Sequence, residues 1–133
     1  AGLAIVAKRR RSASEVESLA IIGEVRGKNV LIVDDLAETA GTLVTAAALL
    51  KRKGAKKIVA CVSHAILNDL GLERLRKSVI DELITTDTVS RPAISGVKIT
   101  TLSVADLLGE AIKRINTNSS VTSLFEFKGG RTS

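Results

Sequence analysis

The chain alternates short apolar runs with amphipathic stretches of helical period. Apolar runs of strand length predict five buried strands, at residues 3–7, 29–33, 57–63, 82–86 and 98–103. Most of these runs are nearly continuous and rich in β-branched residues, which is typical of parallel strands with helices on both faces of the sheet. Residues 19–25 are ambiguous, because Gly27 and Lys28 could make them one arm of an antiparallel hairpin leading into the strand at 29.

Helical periodicity fills several of the connections between these strands. Leu43, Ala46, Ala47 and Leu50 recur at helical spacing, and Gly54 follows as a C-terminal stop. A weaker helix is predicted over residues 67–77, where a glycine at position 71 interrupts the pattern.

A second strong helical pattern lies near the C-terminal end of the chain. Its apolar stripe consists of Val104, Leu107, Leu108, Ala111, Ile112 and Ile115. Ser103 and Asp106 have the spacing of a capping box, so we expect Ser103 to cap this helix.

The alternation of strands and helices predicts an α/β fold with a doubly wound, mostly parallel sheet. Connections between parallel strands are right-handed, and ligands of such sheets bind beyond the carboxyl ends of the strands. We expect one domain over residues 1–124 and a polar tail over residues 125–133.

Composition excludes several classes of protein. No apolar run approaches the ~18 residues of a membrane span, so no membrane association is expected. A single Cys61 excludes an internal disulfide and favours the reducing cytoplasm. The net charge of +6 is concentrated in residues 8–11 and 51–57. Without Tyr or Trp for base stacking, these patches favour small phosphorylated ligands over nucleic acid.

The stretch VDDLAETAGT, residues 33–42, has the composition of a ligand site. Asp34 and Asp35 end a predicted strand, and a predicted helix begins within a few residues of them. A helix N-terminus presents free N–H groups and a partial positive charge, which suits a phosphate. Thr39 and Thr42 add hydroxyl donors, and Gly41 allows close approach and a positive φ. The carboxylates suit ligand hydroxyls or a Mg²⁺-bound group.

A purely structural interpretation of this stretch stays open at this point. Asp and Thr are common at helix N-caps, and acidic residues at strand ends are ordinary in α/β proteins. The G-x-x-x-x-G-K-[ST] pattern of a P-loop is missing from this stretch.

VLIVDDLAETAGT resembles the ribose-phosphate-binding fingerprint of the type I phosphoribosyltransferase superfamily. Within it, the chain looks most like the ribose-phosphate diphosphokinases, or phosphoribosyl pyrophosphate synthetases. That resemblance covers nearly the whole chain, through the segments AKRRR, GEVRGKNVLIVDDLAETAGT, SVIDELITTDTV, LSVADLLGEAIKRI and SVTSLF.

The resemblance implies a reaction and a set of site residues. Enzymes of this family use Mg²⁺ to transfer the diphosphoryl group of ATP to ribose 5-phosphate. By match, Asp34 and Asp35 would hold the ribose hydroxyls and help bind the metal. The 5-phosphate would be held by Thr39, Ala40, Gly41 and Thr42. Lys8 and Arg10 match a mobile loop whose basic residues neutralise charge on the transferred group.

Departures from the family pattern limit these expectations. Glu38 stands where the family has Asp, which keeps the charge but lengthens the side chain. Residues 63–71 follow the family's His-containing segment only in part, so His64 is expected to be structural. The resemblance also implies that the fold's first strand and the family's N-terminal half lie outside these 133 residues.

These departures set what we expect of the chain and its partners. We expect it to need a complementing N-terminal domain or a homo-oligomer, and not to be catalytically competent alone. Two alternatives stay open. A phosphoribosyltransferase that uses phosphoribosyl pyrophosphate would need a segment to grip a nucleobase. A non-catalytic regulatory homologue would not need an intact VDDLAETAGT.

Overall fold

The computed structural model describes residues 2–9, 18–90 and 95–125. The chain forms two compact units, residues 1–102 and 103–133. The predicted boundary at residue 124 stays a prediction. Arg10, Pro92 and Phe127 lie outside the described residues.

The first unit is built on a parallel sheet. Its strands are β3 (Val30–Ala37), β4 (Ile58–Ala65), β5 (Glu82–Thr86) and β6 (Ile99–Leu102), and they lie side by side in that order. The registers Val30↔Ile58, Val59↔Glu82 and Leu83↔Ile99 bring the carboxyl ends of the strands to one edge. The predicted α/β class with a mostly parallel sheet is confirmed.

Two helices connect neighbouring strands of this sheet. Helix α1 (Gly41–Arg52) joins β3 to β4, and α2 (Asp69–Arg76) joins β4 to β5. The predicted apolar stripe of α1 is confirmed, because Leu43, Ala46, Ala47 and Leu50 are all buried. The helix stops where predicted, since Gly54 has a φ of 89° that favours glycine.

The core lies between these helices and one face of the sheet. Ile58, Ala60 and Val62 of β4 alternate onto that face and are at most 1 % exposed. Leu31 and Val33 of β3 alternate onto the opposite face, where they are 57 % and 72 % exposed. The apolar run of β3 therefore predicted a strand correctly, although only half of its residues contribute to the core.

The N-terminal strand does not join the parallel sheet, and this corrects the sequence-based topology. Strand β1 (Ile5–Arg9) pairs antiparallel with β2 (Ser18–Ile22) in a separate two-stranded sheet. The ambiguous stretch at residues 19–25 contributes to an antiparallel arm, β2, but its partner is β1 and not the strand that follows. Two short apolar runs bounded by polar residues carry no local signal that decides which strands pair.

The second unit contains helix α3 (Ala105–Asn116) and a short 3₁₀ turn at Thr122–Phe125. Its predicted capping box is wrong. Val104 is the N-cap residue, and the Ser103 hydroxyl accepts from the N–H of Ala105 at 3.3 Å instead. The apolar stripe forms as predicted, but Leu107, Leu108, Ile112 and Ile115 are more than half exposed. None of the helices in the described ranges is long and apolar enough to cross a membrane.

The core contains one hydroxyl whose removal we expect to stabilise the fold. Thr85 on β5 is 1 % exposed, and its hydroxyl has no hydrogen-bond partner among the described residues. Thr85→Val should raise the free energy of unfolding in urea by about 1 kcal/mol, because it removes a desolvated polar group. The neighbouring Thr86 hydroxyl donates to the carbonyl of Ser63 at 2.7 Å. Thr86→Val should lower the same quantity, and a loss in both variants would contradict this interpretation.

A second prediction concerns the pH dependence of stability. The Thr100 hydroxyl donates to the Glu82 carboxylate at 2.6 Å, and the Lys98 ammonium lies 2.9 Å away. These two contacts lower the pKa of Glu82 below its ordinary value of 4.5. Because the folded-state pKa is lower, this stabilisation is present above 4.5 and is lost as pH falls through the folded-state pKa. Glu82→Gln should therefore flatten the acid side of the urea-midpoint profile. An unchanged profile would exclude this role for Glu82.

Candidate functional site

A small cavity lies where β3 turns into α1, at the carboxyl edge of the sheet. Its volume is about 200 Å³. The lining residues are Asp34, Leu36, Ala37, Glu38, Thr39, Ala40, Gly41, Thr42 and Leu43. One segment, residues 34–43, thus contributes two acidic residues, two threonines and the first turn of a helix to one small space. We call residues 38–42 the β3–α1 turn.

The sharpness of this turn comes from Ala40. Its φ of 51° lies in the left-handed region, and its side chain is buried in the core. An alanine there costs about 1 kcal/mol or more, so the surrounding packing must hold it. Gly41, which the sequence marked as tolerant of a positive φ, does not adopt one; it is the first residue of α1, and the positive φ falls on Ala40.

The first turn of α1 is open to a ligand. Ala40 is its N-cap residue, and no side chain in the described part of the chain caps it. No acidic residue lies in the first turn either. The leading N–H groups and about half a positive charge of helix dipole therefore lie at the cavity with no side chain of the first turn to neutralise them. That arrangement favours an anionic ligand group.

The two adjacent aspartates are not equivalent. Asp34 is half-buried and lines the cavity, whereas Asp35 is exposed and lies outside the lining. Consecutive strand residues face opposite sides of a sheet, which accounts for the difference. The carboxylate of Asp34 also accepts from the N–H of Asp35 at 3.0 Å.

The donor set fits a divalent cation only in part. Within residues 2–9, 18–90 and 95–125, no group of three or more His, Cys, Asp or Glu side chains could hold a metal ion. Asp34 and Asp35 are adjacent carboxylates within β3, and only Asp34 lines the cavity. Mg²⁺ commonly binds one or two carboxylates together with phosphate oxygens and water, so a Mg²⁺ at the cavity would take Asp34 as its nearest protein ligand and would depend on a phosphorylated ligand for others.

The predicted basic residues at 51–57 do not gather around the cavity. Lys8 lies on β1, opposite Leu19, and Arg10 lies outside the described residues. The basic stretch at residues 51–57 spans the C-terminal end of α1 and the start of β4. It is separated from the turn by the length of a 12-residue helix, about 18 Å.

Residues 66–74, which the sequence did not assign to the site, form hydrogen bonds with the backbone of the β3–α1 turn. The N–H groups of Ile66 and Asn68 donate to the carbonyls of Ala37 and Glu38, at 2.9 and 3.2 Å. The Arg74 guanidinium on α2 donates to the carbonyl of Thr39 at 3.0 Å. We call residues 66–74 the backing segment.

Gly71 allows this segment to pack closely against the turn. A Cβ at Gly71 would lie 2.3 Å from the carbonyl oxygen of Glu38. A Cβ at Gly41 would lie 3.1 Å from Nη1 of Arg74. The only sign of this packing in the sequence was the glycine inside the predicted helix 67–77. It had been interpreted as a weakness of that helix.

His64 lies at the end of β4, next to Leu36 of β3. Its Nδ1 is 2.8 Å from the hydroxyl of Thr88, which also contacts the hydroxyl of Thr86 at 2.8 Å. His64 is not among the residues that line the cavity. These contacts join the ends of β4 and β5.

The fold and this site define a class of protein: a parallel α/β domain with an uncapped helix N-terminus beside the carboxylate of a strand residue, Asp34. Residues 6–126 match the family described as the phosphoribosyl synthetase-associated domain. The chain therefore belongs to this family.

Individual relatives agree with the family match. The ribose-phosphate pyrophosphokinase of Campylobacter jejuni is 46% identical over 124 residues, which is 92% of this chain and 40% of the relative. That of Gloeobacter violaceus is 45% identical over 126 residues, 94% of this chain and 38% of the relative. The chain thus spans about two fifths of the curated relatives it matches.

A solved structure shares the fold. The crystal structure of phosphoribosylpyrophosphate synthetase from Mycobacterium smegmatis matches with a TM-score of 0.68 and 32% sequence identity. The match covers 77% of this chain and 35% of that one. The predicted membership of the phosphoribosyl pyrophosphate synthetase family is confirmed.

The close packing at Gly71 leads to a stability prediction. Alanine normally stabilises a helix relative to glycine by about 1 kcal/mol. Gly71→Ala should instead lower the free energy of unfolding by about 1–3 kcal/mol, because its methyl group would collide with a backbone carbonyl. Gly109 in α3 is the matched control, since a Cβ there meets nothing within 4 Å. Gly109→Ala should be stabilising in the same urea titration. A stabilising Gly71→Ala would contradict the packing.

Proposed function

We propose that this chain is the ribose 5-phosphate-binding portion of a phosphoribosyl pyrophosphate synthetase. Such an enzyme transfers the diphosphoryl group of ATP to ribose 5-phosphate for nucleotide biosynthesis. One observation carries the proposal: the uncapped N-terminus of α1 and the carboxylate of Asp34 line the same cavity. A ligand with a phosphate at one end and hydroxyls at the other matches both groups.

The phosphate end would bind the β3–α1 turn. Main-chain N–H groups of a helix N-terminus donate to phosphate oxygens, and the hydroxyls of Thr39 and Thr42 add donors. The sugar end would bind Asp34, and the adjacent Asp35 on the same strand, through its hydroxyls. Ionised carboxylates only accept, so they select hydroxyl donors over further phosphate oxygens.

Phosphoryl-type transfer depends mainly on positioning and on neutralising charge. Mg²⁺, when bound, would supply part of that neutralisation, with Asp34 and Asp35 as its protein ligands. Lys8 and Arg10 are the proposed cationic side chains for the transferred group. Lys8 lies on β1, one residue before its end.

ATP binding requires more than this cavity provides. The chain spans about two fifths of the relatives' length, so we propose that another domain or another copy completes the site for ATP. The chain alone should therefore bind ribose 5-phosphate without turning it over.

Calorimetric titration of the purified chain tests this function. Ribose 5-phosphate should bind more tightly than either ribose or inorganic phosphate, because it engages both ends of the cavity. Asp34→Asn should weaken binding of ribose 5-phosphate roughly tenfold, as expected for loss of a charge-assisted hydrogen bond of about 1.4 kcal/mol. Asp106→Asn on α3 is the matched control and should bind like the parent chain.

Two results would exclude parts of the proposal. If the chain binds ribose 5-phosphate no better than ribose, the cavity is not a sugar-phosphate site. If the chain alone forms phosphoribosyl pyrophosphate from ATP and Mg²⁺, the claim that ATP needs a further domain is wrong.

A further inference from the structure

The charge balance of the cavity is unfavourable for a phosphate. The lining contains two acidic side chains, Asp34 and Glu38, and no basic one in the part of the chain that the structure describes. A phosphate bound at the turn therefore needs a positive charge from outside the lining. Arg74 is half-buried on α2, and its guanidinium lies 3.0 Å from the carbonyl oxygen of Thr39.

The backing segment also determines which way the peptide groups of the turn face. It holds consecutive carbonyls, those of Ala37, Glu38 and Thr39, through Ile66, Asn68 and Arg74. The described peptide bonds include no cis bond. In a planar trans peptide the C=O and the following N–H point in opposite directions. Carbonyls held toward the backing segment therefore direct the N–H groups of residues 38, 39 and 40 away from it.

The cavity lies on the side to which these N–H groups point. Its lining consists of residues 34 and 36–43 and includes no residue of the backing segment. Successive N–H groups at a left-handed residue such as Ala40 form a concave donor surface that binds anions. Of the three carbonyl contacts, only that of Arg74 is made by a side chain, so it can be removed by substitution without a backbone change.

We propose that Arg74 is a positioning residue for the phosphate end of the site, which rests on the function proposed above. It holds the Thr39 carbonyl toward the backing segment, which directs the N–H of Ala40 toward the cavity. It also places a positive charge on the side of the turn opposite the phosphate. Arg74 need not touch the ligand. Its contribution should therefore appear in the affinity for phosphate and not in the affinity for the sugar.

Arg76 provides a matched control on the same helix. Its guanidinium also donates to a backbone carbonyl, that of Ser95 at 3.1 Å, away from the β3–α1 turn. Arg74→Ala and Arg76→Ala thus each remove one arginine and one hydrogen bond to a carbonyl. Arg74→Lys keeps the charge but offers a single ammonium in place of the planar fork.

The test combines calorimetry with amide NMR of the full 133-residue chain. Arg74→Ala should weaken binding of ribose 5-phosphate roughly tenfold or more and leave binding of ribose unchanged. Arg74→Lys should recover part of that loss, and Arg76→Ala should behave like the parent. Without ligand, Arg74→Ala should shift the amide resonances of Thr39 and Ala40, whereas Arg76→Ala should not.

The amide NMR shifts measured without ligand test this inference separately from the proposed function. If the parent chain binds no sugar phosphate but Arg74→Ala still shifts these two amides, the proposed function fails, and only the claim that Arg74 orients the backbone of the turn stands. If the amides do not move, or if Arg76→Ala weakens phosphate binding as much as Arg74→Ala, the inference is overturned.

Discussion

The candidate site depends on how the backbone leaves β3. Ala40 adopts a left-handed conformation while its side chain is buried, and this turns the chain from the sheet edge directly into α1. A helix that began later would present its first N–H groups away from Asp34. The cost of that conformation is offset by burial and by carbonyl hydrogen bonds from the backing segment. The residue with the strained backbone, Ala40, is thus also part of the lining of the candidate site.

The positive electrostatic potential at the candidate site comes from the N-terminus of α1 and from Arg74. The basic stretch at residues 51–57 lies about a helix length away, at the C-terminal end of α1, where cations interact favourably with the helix dipole. The cavity itself has acidic side chains and a free helix N-terminus. The charge near the turn is supplied by Arg74, which the family fingerprint in residues 33–42 does not include. Net charge alone therefore did not point to the candidate site.

Much of the fold was predictable from local pattern. Leu43 and Leu50 marked the buried face of α1, and Gly54 marked its end, because helical period and a positive φ are local properties. Strand pairing was less predictable. The pairing of β1 with β2, and the exposure of Leu31 on a strand that looked fully buried, depend on which elements come together in space. An apolar run of five residues has the same sequence pattern whether its strand is buried on both faces or exposed on one.

By itself, the sequence determined the family, the parallel α/β class, and the segment VDDLAETAGT as the place where strand and helix meet. Those features follow from residue type and spacing along one short stretch. Only the tertiary structure separated Asp34 from Asp35, moved the positive φ from Gly41 to Ala40, and brought Arg74 behind Thr39. Thr39 and Arg74 are 35 residues apart, and their contact exists only because β3 and β4 pair in parallel. Contacts between segments this far apart cannot be predicted from the spacing of residues within either segment.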